Sequence, residues 1–382
     1  MSVKKYVFLG LSLMFLACGN KENGEYTESD LRMVVGTYTD SGSYGLYSFT
    51  FNETTGDFSI LDSCKVENPS YLTFSEDGKN IYAVSELHSE SAAVYALNFN
   101  PQNGKMEVLN YQNTVGFDPC YVSTNGKVVV TANYGGSMSV FPIESDGKLG
   151  DLSQLFEGTI GGPDTIRQTS PHVHCAEFTV DGQHLYASDF SADRLMVYKV
   201  EDEGSRIIPL VTDSNHNVAI ELVPDYGPRH IVFDKTGKFG YVIGELSGTI
   251  SVLEKDSAGF VVKQVIDADE VDARGSADIH ISPDGKYLYA SNRLKNDGIA
   301  IFKIDPSTGL LTGIGYQLTG IHPRNFEITP NGKYLLCACR DTNEIQIFII
   351  NEDTGLLTPT GTVIQLPKPV CIKFSNPQSS QK

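Results

Sequence analysis

Apolar and polar residues alternate along most of this chain in short bursts, and the bursts come in pairs joined by a glycine turn. Ala277-Asp278-Ile279-His280-Ile281-Ser282-Pro283-Asp284-Gly285-Lys286-Tyr287-Leu288-Tyr289 shows the unit most fully. The period-two segment predicts a strand with one buried face. Asp-Gly permits the positive φ of a tight reversal, and the second apolar run predicts the returning strand. Variants begin at Thr73, Phe178, Phe233 and Ile328. The turn glycines Gly78, Gly126, Gly182, Gly237, Gly285 and Gly332 are separated by 48, 56, 55, 48 and 47 residues. Self-similarity at about 50 residues marks a repeat architecture.

A second strand pair follows each hairpin, as in Gly298-Ile299-Ala300-Ile301-Phe302-Lys303-Ile304 and Thr308-Gly309-Leu310-Leu311-Thr312, so each repeat predicts one four-stranded antiparallel blade. Seven first strands begin near Ser70, Cys120, His172, Arg229, Asp278, Arg324 and Val370. The last has no hairpin partner after it, while the strands beginning near Met33, Gly45 and Asp57 lack an inner one. Stitching them together removes the open edge of the ring. The expected fold is all-β, a seven-bladed β-propeller over residues 32–375, with the ring closed by N- and C-terminal strands. Residues 376–382 are expected to form a tail.

Residues 1–17 read differently. Lys4 and Lys5 precede an apolar run from Tyr6 to Ala17, which is short for a membrane span and reads as a secretory signal. Phe15-Leu16-Ala17-Cys18 resembles a bacterial lipobox, with cleavage before Cys18 and lipid on its thiol. Residues 18–31 would be a flexible tether. The expected location is extracytoplasmic, with the membrane reached only through the N-terminal lipid of a bacterial lipoprotein, on the periplasmic side or at the cell surface.

Loss of Lys4 and Lys5 with the signal would take the formal charge from −18 to −20, which argues against nucleic acid as a partner. The cysteines left after Cys18 (Cys64, Cys120, Cys175, Cys337, Cys339 and Cys371) show neither a disulfide framework nor zinc spacing, and are expected to be small buried hydrophobes. No metal site and no cofactor are expected.

Overlaying the repeats brings distant residues together. First-strand starts and second-strand ends converge on one face of the disc, around the central channel, and the Asp-Gly turns lie on the other. The starts carry Ser70, Tyr71, His172, His174, Arg229, His230, Asp278, His280, Arg324 and Asn325. The returning ends carry Glu86, Asn133, Tyr134, Asp189, Glu245, Asn292, Arg293 and Arg340. Four of the chain's nine arginines fall at this mouth, which in an acidic protein suggests bidentate recognition of a small anion. His88, His184, His216 and His322 read as surface or loop residues.

Pro171-His172-Val173-His174, Gly227-Pro228-Arg229-His230-Ile231 and Tyr241-Val242-Ile243-Gly244-Glu245 resemble a known family, as do Tyr289-Ala290-Ser291-Asn292-Arg293 and His322-Pro323-Arg324-Asn325-Phe326. It is the seven-bladed propeller lactonases, which include propeller-type 6-phosphogluconolactonases and fungal carboxymuconate cyclases. The resemblance implies a catalytic set of Glu245, Arg229, Arg293 and a histidine of Pro171-His172-Val173-His174; the motif does not separate His172 from His174, and His174 is favoured because it lies deeper in the strand. His172, His230 and Arg324 would bind substrate. Lactone hydrolysis needs a base and donors for an oxyanion. Glu245 or His174 would take the water proton, Arg229 would hold the oxyanion, and Arg293 with Arg324 would grip a phosphate or carboxylate. The expected substrate is a sugar lactone or small anionic lactone. A lactonising cyclase, or a non-catalytic propeller binding an acidic sugar or glycan, would use the same mouth.

Overall fold

The computed structural model describes residues 30–211, 218–257 and 259–375. The signal sequence, Cys18, His216 and the tail at 376–382 lie outside the described residues, as does the tether up to residue 29.

Seven antiparallel sheets form the ring. The first six blades run Leu72–Asn113, Pro119–Glu157, Val173–Glu221, Pro228–Asp267, Ser276–Leu318 and Pro323–Gln365. In the seventh, the C-terminal strand Pro369–Phe374 pairs with the N-terminal strand Asp30–Thr37, in register from Met33 opposite Phe374 to Gly36 opposite Cys371. Gly45–Asn52 and Phe58–Lys65 complete that blade. Asp30 and Leu31 already belong to the N-terminal strand, with Leu31 buried, two residues before the start that the sequence pattern suggests. The third blade carries an additional short strand, Ala219–Glu221, beside Arg194–Glu201. Among the described residues only two short 3-10 turns interrupt the β-structure.

Burial follows from blade geometry. Second strands such as Tyr287–Asn292 and Tyr334–Cys339 are buried along their whole length because neighbouring blades cover both faces, while fourth strands such as Leu311–Leu318 are largely exposed. The six cysteines of the described chain are free thiols, and all but the half-buried Cys64 are buried.

The mouth ends of the inner hairpins share a distortion. Register shifts occur between Pro119 and Tyr121, Val173 and Ala176, Pro228 and Ile231, Ser276 and Ile279, and Pro323 and Asn325. A bulge sets two residues against one and re-aims the side chains beside it. Consecutive residues such as Arg229 and His230 can thereby both serve the channel.

Candidate active site

Glu245 lies one residue past the strand Phe239–Gly244, and its backbone N–H donates to Gly227 O at 2.8 Å. Gly227 has φ +58°, and an added Cβ would lie 2.7 Å from Leu246, so only glycine passes here without strain. Buried Asp193 fixes this turn. Its Oδ1 accepts the N–H groups of Tyr226 at 3.0 Å and Gly227 at 2.8 Å, and its Oδ2 accepts that of Asp225 at 2.8 Å. The next strand, Pro228–Phe233, then delivers Arg229 to the glutamate.

Three guanidinium groups converge on that carboxylate. Arg229 Nε donates to Glu245 Oε2 at 2.9 Å, and Arg293 Nη2 lies 3.1 Å from the same oxygen. Arg167 Nη2 donates to Oε1 at 2.7 Å. Burial alone would raise the Glu245 pKa, but Arg293, Arg229 and Arg167 outweigh it and hold the carboxyl at about 2. Glu245 is thus a firm anion and a weak base in the free protein. Arg229 and Arg293 retain donors beyond it: Arg229 Nη1 bonds Ala277 O and faces His230 Nε2, and Arg293 Nη1 faces His322 Nε2 at 3.3 Å.

The rim carries two further cations. Arg324 Nη2 meets Glu86 Oε2 at 3.3 Å, and Tyr38 O–H donates to the same carboxylate at 3.0 Å. Arg340 pairs with Asp341 through both Nε and Nη2. Five arginines against Glu245, Glu86 and Asp341 leave the mouth with two excess positive charges, inside a chain of formal charge −18. Such a field favours an anion or a developing oxyanion.

The histidines divide by environment. His174 is buried, with Nδ1 3.8 Å from Cys120 Sγ and its ring 5.4 Å from that of His230. Burial, then Arg229, His230 and Arg324, push its pKa well below the ordinary imidazole value, so it is neutral. His172 precedes the strand Val173–Phe178 and is half-buried, its ring stacked on Tyr134 at 4.0 Å and its Nδ1 on the Tyr134 carbonyl. Simple alternation would put both histidines on one face. The bulge after Val173 separates them: His172 stacks on Tyr134 at 8° between the ring planes, whereas His174 meets it at 77°.

His230 accepts from Arg229 on Nε2, because a guanidinium can only donate, so Nδ1 carries the hydrogen and donates to Asp278 Oδ1 at 2.7 Å. Burial and Arg229 push it down to about 3 despite Asp278. Asp278 Oδ2 faces His280 Nε2 at 3.0 Å. His280 and Tyr71, expected at the mouth, instead line a cavity of about 320 Å³ at the other end of the channel with Tyr121, Glu177 and Lys373. The displacement follows from depth: His280 pairs with Tyr289, one residue from the far end of its strand.

Two residues of the cluster escape the repeat pattern. Arg167 comes from residues 158–172, the longest connection between blades, and its place there is the only sequence signal it leaves. His322 is buried rather than superficial, and burial with Arg293 pushes it to about 2. It occupies the position just before an inner strand that His172 occupies in another blade. Asp189 is structural, bonded to Thr159 and Arg194. Among the described residues no three His, Cys, Asp or Glu side chains are grouped to hold a metal.

The family model described as "Lactonase, 7-bladed beta-propeller" matches residues 32–374. A 6-phosphogluconolactonase of Formosa agariphila is 35% identical over 335 residues, covering 85% of this chain and 94% of that protein. A putative 6-phosphogluconolactonase of Bacteroides fragilis superposes with a TM-score of 0.88 at 49% identity, over 93% of this chain and 100% of the other. A periplasmic gluconolactonase of Pseudomonas aeruginosa superposes at 0.85 with 28% identity, over 91% and 99%.

Proposed function

The chain belongs to the seven-bladed β-propeller lactonases, and from that premise we propose that it is an exported hydrolase that opens a sugar lactone at the arginine-lined mouth. The carrying observation is the convergence of Arg229 and Arg293 on Glu245 beside a neutral, buried His174. The names of the relatives support 6-phosphoglucono- and gluconolactone as the substrates to try first. A lipid on Cys18 would keep the enzyme outside the cytoplasm.

The chemistry is assigned as follows. His174 accepts a proton from water as its oxygen attacks the lactone carbonyl. Arg229 and Arg293, already oriented by Glu245, donate to the oxyanion that forms. Collapse breaks the bond between the carbonyl carbon and the ring oxygen, which takes the proton back from His174, so the net change is the addition of one water. His174 is a weak base among cations, but an anion entering the mouth offsets their field and raises its basicity at the moment of need. Glu245, held near 2 by its three arginines, orients them rather than taking the proton. His172 and Arg324 line the approach, and His230 braces Arg229.

The test is the rate of lactone opening above buffer by the full-length chain in detergent. His174→Asn should lose about 10²–10⁴-fold in kcat. A wild-type rate equal to buffer would defeat the reading.

A further inference from the structure

Glu245, Arg229 and Arg293 are closed off in the free protein, with side-chain exposures of 8%, 1% and 6%. A lactone cannot reach them unless a covering group moves. Of the groups touching Glu245, Arg167 differs in three ways. It is 37% exposed. It rises from a connection between blades rather than from an inner strand or the end of a second strand. And it alone holds Oε1, whereas Arg229 and Arg293 share Oε2. Beyond Glu245, its guanidinium donates to the Tyr134 hydroxyl oxygen at 3.0 Å and lies over the Phe190 ring at 5.4 Å.

The backbone beneath it is fixed. Asp164 Oδ1 accepts the Arg167 N–H at 2.7 Å, and its other oxygen is clamped by Arg274, which also grips Asp225 with two nitrogens. Gln168 donates to Asp193 at 2.6 Å, tying the connection to the turn that presents Arg229. The long side chain can therefore swing on an anchored base while Glu245 keeps two partners.

The geometry points to Arg167 as a mobile specificity residue that leaves Glu245 Oε1 for an anionic substituent on the lactone, a phosphate monoester or a carboxylate. This rests on the lactonase reading above and deepens it. The exchange trades one ion pair for another, so its cost is small. It also bares Oε1, which can then accept from a substrate hydroxyl. A neutral lactone offers no such partner and must displace Arg167 without compensation. Charged lactones are therefore favoured at the binding step, and the planar fork of arginine suits either anion in a way an ammonium does not.

The experiment compares full-length wild type, Arg167→Gln and Arg167→Lys on neutral glucono-lactone, 6-phosphoglucono-lactone and glucaro-lactone. Titration with the product acids, gluconate and 6-phosphogluconate, runs alongside as a readout independent of turnover. Wild type should bind 6-phosphogluconate more tightly than gluconate. Arg167→Gln should raise KM for the charged lactones about tenfold more than KM for the neutral lactone, with the larger part of the difference in KM rather than kcat, and erase the product preference. Arg167→Lys should recover part of it. Equal losses on neutral and charged lactones, a loss confined to kcat, or a wild type that binds both acids alike would each overturn the assignment. Wild type without turnover but with an Arg167-dependent product preference would sink the hydrolase reading and leave the anion role standing.

Discussion

Glu245 and His174 occupy one mouth under opposite constraints, and their substitutions should differ accordingly. Glu245→Gln leaves Arg229, Arg293 and Arg167 facing one another without a counter-charge. Breaking a buried ion cluster by removing one partner costs about 3–5 kcal/mol, so both stability and activity should fall in denaturant titration and in turnover. His174→Asn removes a group that makes no ion pair and should spare stability while removing the rate. Protons are linked to folding here in a definite direction. His174, His230 and His322 are buried and held neutral, so the unfolded chain takes up protons below about 6.5 that the native state refuses. Stability should fall as the pH drops below about 6.5, by up to about 1.4 kcal/mol per unit for each proton. The decline continues toward their folded values, about 3 for His230 and about 2 for His322. Glu245 adds a loss between its unfolded value near 4.3 and about 2. His280, raised by Asp278 and Glu327 against burial, works the other way: its contribution is whole below about 6.5 and fades as the pH rises through its folded value. Thermal melts from pH 7.5 to 4.5 should show a net decline, and a flat profile would contradict this assignment of charge states.

The inner hairpins and the connections between blades carry the site, and Asp193 joins them. It accepts from Tyr226, Gly227, Asp225 and Gln168, so it holds both the turn before Arg229 and the base of Arg167. Asp193→Ala strands several buried donors and should cost about 2–4 kcal/mol, with KM rising more than kcat falls. Chemical denaturation and steady-state kinetics check both parts. Much of this was legible in the sequence. Arg229, Glu245 and Arg293 fall where the repeat puts strand starts and ends at one face, and the structure brings them within ion-pair distance. The rest needed information that period-two alternation lacks. The bulge after Val173 parts His172 from His174, the depth of His280 along its strand takes it to the far cavity, and Arg167 belongs to no repeat position.

Closure makes the ring one cooperative body, and the closing contact is the pairing of Pro369–Phe374 with Asp30–Thr37. Removing residues 369–382 would bare one edge of Asp30–Thr37 and leave the channel without its seventh inner strand. Such a chain should aggregate and lose a sharp unfolding transition by calorimetry and size-exclusion chromatography. Topology also sets orientation. Asp30 lies beyond the end of the pairing with Phe374, on the face opposite the mouth. In the function proposed above, this mouth opens lactones with His174 as base and Arg229 and Arg293 as oxyanion donors. The most direct measurement is the initial rate of glucono- and 6-phosphoglucono-lactone opening by the full-length chain beside His174→Asn, with matched melting curves. Wild type should run well above buffer, and the variant should be folded but slower by about 10²–10⁴-fold. A wild type no faster than buffer on either lactone, or a His174→Asn variant as fast as wild type, would contradict it.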